Sequence, residues 1–178
     1  MHDKKFIISF LGFPCTGKST MAKLLAESVS DIYFVSTDKQ KWLLSGYDRN
    51  THPVPIKEIT FGLFEAVCKT GLPIQLEYIR NKEDFEACKK MAAQYGYDFL
   101  CVEFRAPREV LLERFRARVV ESEKTGTPIS TKTEAQFLEN LDLGYYAPPD
   151  IPIFDTVVQP PEEIVEKVLG MLVSRAAA

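Results

Sequence analysis

The chain has 178 residues, of which 46% are hydrophobic and 26% are charged, and its formal net charge at pH 7 is −3. This length suits one compact domain and is too short for two domains of ordinary size. A composition near the globular average excludes collagen-like, largely disordered and coiled-coil proteins. The negative net charge provides no general attraction to nucleic acid, so a polyanion would need a local basic cluster.

The spacing of the cysteines and the first residues of the chain indicate which metal sites and which cell compartment to expect. The four cysteines form no Cys-x-x-Cys pair and lie near no pair of histidines, which argues against a zinc cluster and a disulfide framework. No apolar run approaches the roughly 20 residues that span a bilayer, and the chain starts without a signal-peptide cleavage pattern. We therefore expect a cytoplasmic protein that has no membrane partner.

Hydrophobic periodicity predicts strands that alternate with helices. The apolar run at residues 5–11 is typical of a central strand buried on both faces, and residues 17–29 carry apolar side chains at helical spacing. Further strands are predicted at 32–36, 73–79, 98–104 and 153–158, and further helices at 56–69, 82–95, 107–119, 133–141 and 161–174. Strands separated by helices pair in parallel through right-handed crossovers. The sequence thus predicts an α/β fold of three layers, with a parallel five-stranded sheet in the middle.

Residues 120–132, which read VESEKTGTPISTK, interrupt this pattern. They are polar and contain Gly and Pro, as is typical of a mobile loop. We therefore predict a single domain over residues 1–178 with a short lid at 120–132.

Residues 12–19 read GFPCTGKS and match the phosphate-loop motif G-x-x-x-x-G-K-[ST]. They lie between a predicted buried strand and an amphipathic helix, which is the context that the motif requires. Backbone N–H groups of such a loop face a polyphosphate, Lys18 would contact the β- and γ-phosphates, and the Ser19 hydroxyl would bind Mg²⁺. The residues predicted to bind ATP are Gly12, Pro14, Cys15, Thr16, Gly17, Lys18, Ser19 and Thr20.

Residues 81–84 read NKED and match the guanine-binding N-K-x-D motif of GTPases. No D-x-x-G motif stands between them and the phosphate loop. An Asn N-cap followed by acidic residues in the first turn of a helix explains the same letters. We therefore interpret Asn81 as a helix cap.

Two acidic residues lie at or just after the ends of predicted strands, at the carboxyl edge of the sheet, where α/β proteins bind ligands. Asp38 comes after the second strand and could accept the proton of an attacking hydroxyl or help to hold Mg²⁺, or it could simply cap the next helix. Glu77 ends the third strand and could reach the Mg²⁺ shell, or it could form a salt bridge with Arg80. The predicted metal ligands are Ser19, Asp38 and Glu77.

Arg114 and Arg118 share one edge of the predicted helix 107–119, whereas Arg116 points elsewhere. Two guanidinium groups one turn apart, leading into a lid, can close over phosphates and neutralise charge in the transition state. A solvated cationic helix end is the alternative. The predicted catalytic residues are Lys18, Asp38, Arg114 and Arg118.

Residues 39–80 join the second and third strands and should line the acceptor side. Their basic and aromatic side chains could hold a phosphate and stack on a base or a sugar, although Trp42 could instead pack a helix onto the sheet. The predicted substrate-binding residues are Lys41, Trp42, Tyr78 and Arg80.

Three segments carry a resemblance to a known family: FLGFPCTGKST, VSTDKQK and VLLERFRAR. From Lys5 to about Leu169 the chain resembles the compact P-loop kinases of the polynucleotide kinase, zeta-toxin and chloramphenicol phosphotransferase group. The resemblance implies an ATP-dependent phosphotransferase with Lys18 on the phosphates and Ser19 on Mg²⁺. It also implies that Asp38 activates the acceptor hydroxyl and that Arg114 and Arg118 lie in the lid.

The chain departs from this group in the region that contacts the acceptor. An Arg often stands where this sequence has Lys41, and an Asp where it has Glu77. We expect a nucleoside, a nucleotide or a polynucleotide end as acceptor, and then a sugar, an antibiotic or a sugar nucleotide. A nucleotide-binding regulatory ATPase, which needs no acceptor base, is the alternative from another class.

Overall fold

The computed structural model describes residues 5–175 and contains five strands and seven helices within that range. The strands are β1 (Phe6–Leu11), β2 (Tyr33–Ser36), β3 (Ile74–Glu77), β4 (Asp98–Arg105) and β5 (Ile153–Asp155). The helices are α1 (Lys18–Ser28), α2 (Thr37–Leu43), α3 (Pro53–Cys68), α4 (Lys82–Gln94), α5 (Arg108–Thr125), α6 (Glu134–Leu143) and α7 (Pro161–Arg175).

The strands form one sheet in the order β2-β3-β1-β4-β5, and every pairing is parallel. Strand β1 lies in the middle and is buried along its whole length, which explains its uninterrupted apolar sequence. In the register of the sheet Leu11 pairs with Glu103, and Ser36 pairs with Glu77. The carboxyl ends of the central strands therefore meet at one edge.

Each face of the sheet carries its own hydrophobic core, because successive side chains of β1 point in opposite directions. Phe6, Ile8 and Phe10 pack with residues of α1 and α7. Ile7 packs on the other side with residues of α3 and α4. Cys68, Cys88 and Cys101 are buried, as expected of small apolar residues. The predicted three-layer α/β fold is confirmed.

A third cluster joins helices α5 and α6 to the segment between β1 and α1. Its centre is a stacked pair of rings, Phe115 and Phe137, whose centroids are 4.4 Å apart. Phe13 and Cys15, both in the predicted phosphate loop, pack against this cluster. The pair of helices is thereby placed against that loop.

Strands β3 and β5 end earlier than predicted, at Glu77 and Asp155, and the helices differ from the prediction mainly at three places. Helix α2 was not predicted, because seven residues are too few to show a helical period. Helix α3 begins at Pro53, which suits the first turn because proline has no N–H to leave unpaired. Helix α5 continues to Thr125 and ends at Gly126, whose φ is 69°. The prediction of an irregular segment is therefore wrong for residues 120–125, and this segment starts at Gly126.

The start of α4 bears out the interpretation of residues 81–84 as a helix N-terminus. Asn81 caps α4, since its side chain accepts a hydrogen bond of 2.8 Å from the backbone N–H of Asp84. The helical interpretation of NKED is confirmed. Within residues 5–175, no helix combines the length and the apolar character required to cross a membrane.

Candidate active site

The phosphate loop, residues 12–19, turns sharply between β1 and α1. Gly12 has a φ of 133°, and a Cβ atom built on it would lie 2.4 Å from the carbonyl oxygen of Phe104. Only glycine fits there. Gly17, with a φ of 92°, precedes the first residue of α1, and Cys15 also has a positive φ, of 68°. The loop thus adopts a backbone conformation that the two motif glycines make accessible.

Lys18 folds back over this loop. Its Nζ donates hydrogen bonds to the carbonyl oxygens of Gly12, at 2.8 Å, and Phe13, at 2.6 Å. Burial lowers the pKa of the ammonium to about 8, although the carboxylates of Glu77 and Asp38 act in the opposite direction. Both acidic residues are therefore close enough to Lys18 to affect its charge state.

Asp38 lies in the first turn of α2, at the end of β2. Its Oδ1 pairs with the ammonium of Lys41; the Lys41 side chain is 12% exposed, and the Asp38 side chain is 53% exposed. Partial burial acts to raise the pKa of Asp38, but the cations of Lys41 and Arg80 outweigh it and hold the pKa below the usual value. Asp38 is therefore ionised at neutral pH and open to a ligand.

The alternative that Asp38 merely caps a helix has no support in the geometry. Ser36 occupies the N-cap position of α2, and no side chain caps the first turn by a hydrogen bond. The carboxylate of Asp38 is instead directed at Lys41. Its orientation leaves it available for chemistry at the carboxyl edge of the sheet.

Glu77 lies beside it at the end of β3. Its Oε2 accepts a hydrogen bond of 2.8 Å from the hydroxyl of Ser36, and its backbone carbonyl accepts one of 3.1 Å from Thr37. Among the ion pairs within residues 5–175, none joins Glu77 to Arg80. One carboxylate oxygen is thus fixed by Ser36, and the other has no protein hydrogen bond in this part of the chain.

The three predicted metal ligands have the donor chemistry that Mg²⁺ prefers. Ser19, Asp38 and Glu77 offer a hydroxyl and two carboxylates, all hard oxygen donors. Within residues 5–175 there is no group of three or more His, Cys, Asp or Glu that could hold a metal ion by itself. The residues therefore fit an ion that takes most of its ligands from phosphate and water, as Mg²⁺ does in phosphate-loop proteins.

The arginines of α5 have different partners because they lie on different sides of the helix, as their spacing predicts. Arg114 donates to the hydroxyl and the carbonyl oxygen of Thr156, both at 3.0 Å, and to the carbonyl oxygen of Cys15 at 3.4 Å. Arg118 is exposed and lies within electrostatic reach of Cys15 and Lys18. Arg116 instead forms a two-point ion pair with Glu134 of α6.

The predicted acceptor residues do not all reach the surface of the site. Tyr78 is 8% exposed and packs in the core against Phe61, with ring centroids 5.5 Å apart. Arg80 is exposed near Asp38. Trp42 is 44% exposed, so it is not packed fully against the sheet. Of the predicted substrate-binding residues, Trp42 and Arg80 are thus exposed, Lys41 is largely covered and pairs with Asp38, and Tyr78 lies in the core.

Trp42 also borders a cavity of about 280 Å³ between α2 and the end of α5. The segment from Gly126 to Lys132 forms the opposite wall, and Ile129 within it is buried. The Ser130 hydroxyl lies close enough to Asp38 to favour its ionised form. Residues of the predicted lid therefore face α2 across this cavity.

Several residues that shape the site were not predicted. Thr156 and Ser36 were missed because a single hydroxyl at a strand end gives no sequence signal. Glu103 could have been found by the reasoning applied to Glu77. Each is an acidic residue in an apolar strand, and a buried charge needs a partner. Its side chain is 3% exposed and binds Arg105 and Tyr145.

Comparison with solved structures shows where this fold occurs. The chain is similar to a candidate kinase from Chloroflexus aurantiacus (TM-score 0.73, 19% identity, covering 94% of this chain and 98% of the other). It is similar to APS kinase from Mycobacterium tuberculosis in complex with AMPPNP and APS, with a TM-score of 0.66 and 16% identity over 96% of this chain and 98% of the other. It is also similar to shikimate kinase from Aquifex aeolicus, with a TM-score of 0.56 and 21% identity over 97% of this chain and 99% of the other. At these identities the similarity establishes the fold.

The sequence comparisons give the family. No curated protein matches the sequence. The profile of a family described as "AAA domain" matches residues 7–142, which include the phosphate loop, Asp38, Glu77 and the arginines of α5. The match extends over more than half of the chain. The chain therefore belongs to this AAA domain family and has the three-layer fold of P-loop kinases.

Proposed function

We propose that this protein is an ATP-dependent phosphotransferase that moves the γ-phosphate to a hydroxyl group of a small molecule or of a short nucleic-acid end. One observation carries the proposal: Asp38, in the first turn after β2, lies at the same edge of the parallel sheet as the phosphate loop after β1, and its carboxylate acts on the charge of Lys18. A phosphate-binding cation and an ionised carboxylate thus share one edge of the sheet. A protein that only binds or hydrolyses a nucleotide needs neither a base for an acceptor hydroxyl nor a separate surface for an acceptor, although it also uses a carboxylate for Mg²⁺.

The phosphate loop performs the first part of the reaction. Its backbone N–H groups and the N-terminus of α1 bind the phosphates, and Lys18 exchanges the carbonyl oxygens of Gly12 and Phe13 for phosphate oxygens. Mg²⁺, when bound, would be held by Ser19 and Glu77, with Asp38 reaching it only through water, and it would neutralise charge on the phosphates. Ser36 fixes the orientation of the Glu77 carboxylate for this purpose.

Asp38 performs the second part. It accepts the proton of the acceptor hydroxyl as the oxygen attacks the γ-phosphorus, and the bond from that phosphorus to the bridging oxygen of ADP breaks. Lys41 holds the carboxylate in place through its ion pair. Arg118 and Arg114 lie on the phosphate-loop side, where positive charge stabilises the transferring group.

The acceptor side favours a polar ring compound. Trp42 offers an exposed aromatic face, and Arg80 is an exposed cation beside Asp38. Such a pair can stack on a base or a sugar and hold an anionic group. Together with the resemblance to polynucleotide kinases, this supports nucleosides, nucleotides and polynucleotide ends as the first acceptors to test. Solved structures of this fold include shikimate kinase and a gluconokinase, so sugars and other hydroxyl compounds come next.

The experiment is an acceptor panel with γ-labelled ATP and Mg²⁺. It includes mononucleosides, nucleotides, short 5′-hydroxyl DNA and RNA, sugars, sugar nucleotides and aminoglycosides. We expect label in one acceptor class, with no transfer by the Lys18→Ala variant. Label that appears only as free phosphate across the panel would contradict a kinase and favour the regulatory ATPase. A parallel panel with γ-labelled GTP identifies the preferred donor.

A further inference from the structure

A polar network around one buried carboxylate adjoins the phosphate loop. At its centre is Glu103, whose side chain is 3% exposed although it is an acidic residue in the middle of the protein. Arg105 donates from Nε to Oε1 and from Nη2 to Oε2, the latter at 3.0 Å. The hydroxyl of Tyr145 donates to the same Oε1. Both carboxylate oxygens therefore have charged or polar partners.

These partners decide the charge of Glu103. Burial acts to raise its pKa, but the hydrogen bonds from Arg105 and Tyr145 outweigh burial and lower the pKa below its usual value. Glu103 is thus an ionised acceptor at neutral pH. A hydrogen bond to an ionised group is stronger than one between neutral groups, so the Tyr145 hydroxyl is held firmly.

The network adjoins the start of the phosphate loop. Glu103 pairs in the sheet with Leu11, the residue directly before Gly12. The ring of Tyr145 packs edge-on against the ring of Phe13, with centroids 4.6 Å apart and planes at 88°. This T-shaped geometry is one that aromatic pairs prefer. The ring of Phe13 is therefore in contact with a side chain that is itself bound to a buried carboxylate.

Phe13 is also the residue whose backbone carbonyl holds Lys18, at 2.6 Å. Its ring packs in addition against the apolar cluster of α5 and α6. One residue of the phosphate loop thus contacts the phosphate-binding lysine, the helices that lead into the lid, and Tyr145. Displacing its ring would alter the loop backbone at the point where the phosphates bind.

We propose that Tyr145 is a positioning residue for nucleotide binding: its hydroxyl, bound to Glu103, fixes the ring that packs on Phe13 and thereby holds the phosphate loop in its binding conformation. This rests on the proposed function only in that the loop binds a nucleotide. It assigns a role outside the phosphate-loop motif to Tyr145, on the segment that follows α6, and to Glu103 and Arg105 of β4.

The test compares two adjacent tyrosines that differ in this contact. Tyr145→Phe keeps the ring and removes the hydroxyl. Tyr146→Phe removes a hydroxyl from the neighbouring residue, whose ring packs on Phe85 with centroids 6.0 Å apart and for which no hydroxyl hydrogen bond is seen within residues 5–175. The dissociation constant of MgADP is measured by calorimetry for each variant, together with the midpoint of thermal unfolding.

We expect Tyr145→Phe to weaken MgADP binding by about 3- to 10-fold, in the range of coupling between neighbouring residues, and Tyr146→Phe to leave it unchanged. In a kinase assay Tyr145→Phe should raise KM for ATP and leave both kcat and KM for the acceptor nearly unchanged. A merely structural role would lower the unfolding temperature and the active fraction without this selective change in nucleotide affinity.

A double-mutant cycle tests whether the effect passes through Phe13. In the Phe13→Ala background, removal of the Tyr145 hydroxyl should have little further effect on MgADP affinity. Additive effects of the two substitutions, or parental affinity in Tyr145→Phe, would overturn the proposal. Glu103→Gln provides a second variant, for which we expect weaker MgADP binding. Because MgADP binding needs no acceptor, failure to find a kinase substrate would leave this test intact.

Discussion

Lys18 and Phe13 are joined by a hydrogen bond of 2.6 Å from the lysine ammonium to the backbone carbonyl oxygen. The cation that should contact the phosphates is therefore held by the same loop that surrounds them. Burial in this position lowers its pKa to about 8. The charge of Lys18, and with it phosphate binding, consequently depends on pH within the working range of most enzymes.

The first prediction concerns this pH dependence. Below about pH 8 Lys18 is protonated and attracts phosphate, and above this pH it loses its proton, so kcat/KM for ATP should fall as pH rises. The Lys18→Arg variant, whose guanidinium does not titrate in this range, should lose the basic limb even if its overall activity is lower. A parental profile that stays flat well above pH 8 would contradict this role.

The second prediction separates binding from transfer at Asp38. Asp38→Asn should lower kcat by about 10²- to 10⁴-fold, because the amide cannot accept the acceptor's proton. MgADP binding, measured by calorimetry, should change little. Lys39→Met is a suitable control, since Lys39 is the next residue of the same helix but is exposed and has its ammonium over the ring of Phe34. Transfer at near-parental rates by Asp38→Asn would remove Asp38 from the mechanism.

The third prediction compares two arginines of α5. Arg114→Ala should reduce kcat/KM for ATP by about a hundredfold, because it removes a cation that lies on the phosphate loop and fixes the segment after β5. Arg116→Ala, which breaks an exposed ion pair with Glu134, should leave the kinetics near parental values. Equal losses in both variants would indicate a general effect of charge on α5 instead of a specific site.

The fourth prediction uses two glycines to test the loop backbone. Gly12→Ala should destabilise the protein by about 2 kcal/mol or more, because its Cβ would meet the Phe104 carbonyl oxygen at a positive φ. Gly62→Ala, within α3 and with open space around it, should instead stabilise the protein by about 0.5–1 kcal/mol. Chemical denaturation of both variants measures these differences, and a stable Gly12→Ala protein would show that the loop can relax.

The sequence by itself determined the fold class and the phosphate loop. Both depend on local patterns: the apolar run of β1, the helical period of α1, and a motif in which glycines must stand where the backbone takes a positive φ. The places of Lys18, Asp38 and Glu77 at one edge also followed, because parallel strands present their carboxyl ends together.

Only the tertiary structure decided which other side chains belong to the site. Tyr78 and Arg80 are two residues apart in the sequence, yet Tyr78 is in the core and Arg80 is exposed beside Asp38. Arg114 binds Thr156 across 42 positions of the chain, and Tyr145 binds Glu103 across the same separation. Such contacts depend on how helices and loops pack around the sheet. No local period or motif encodes them, because their partners become neighbours only in the folded chain.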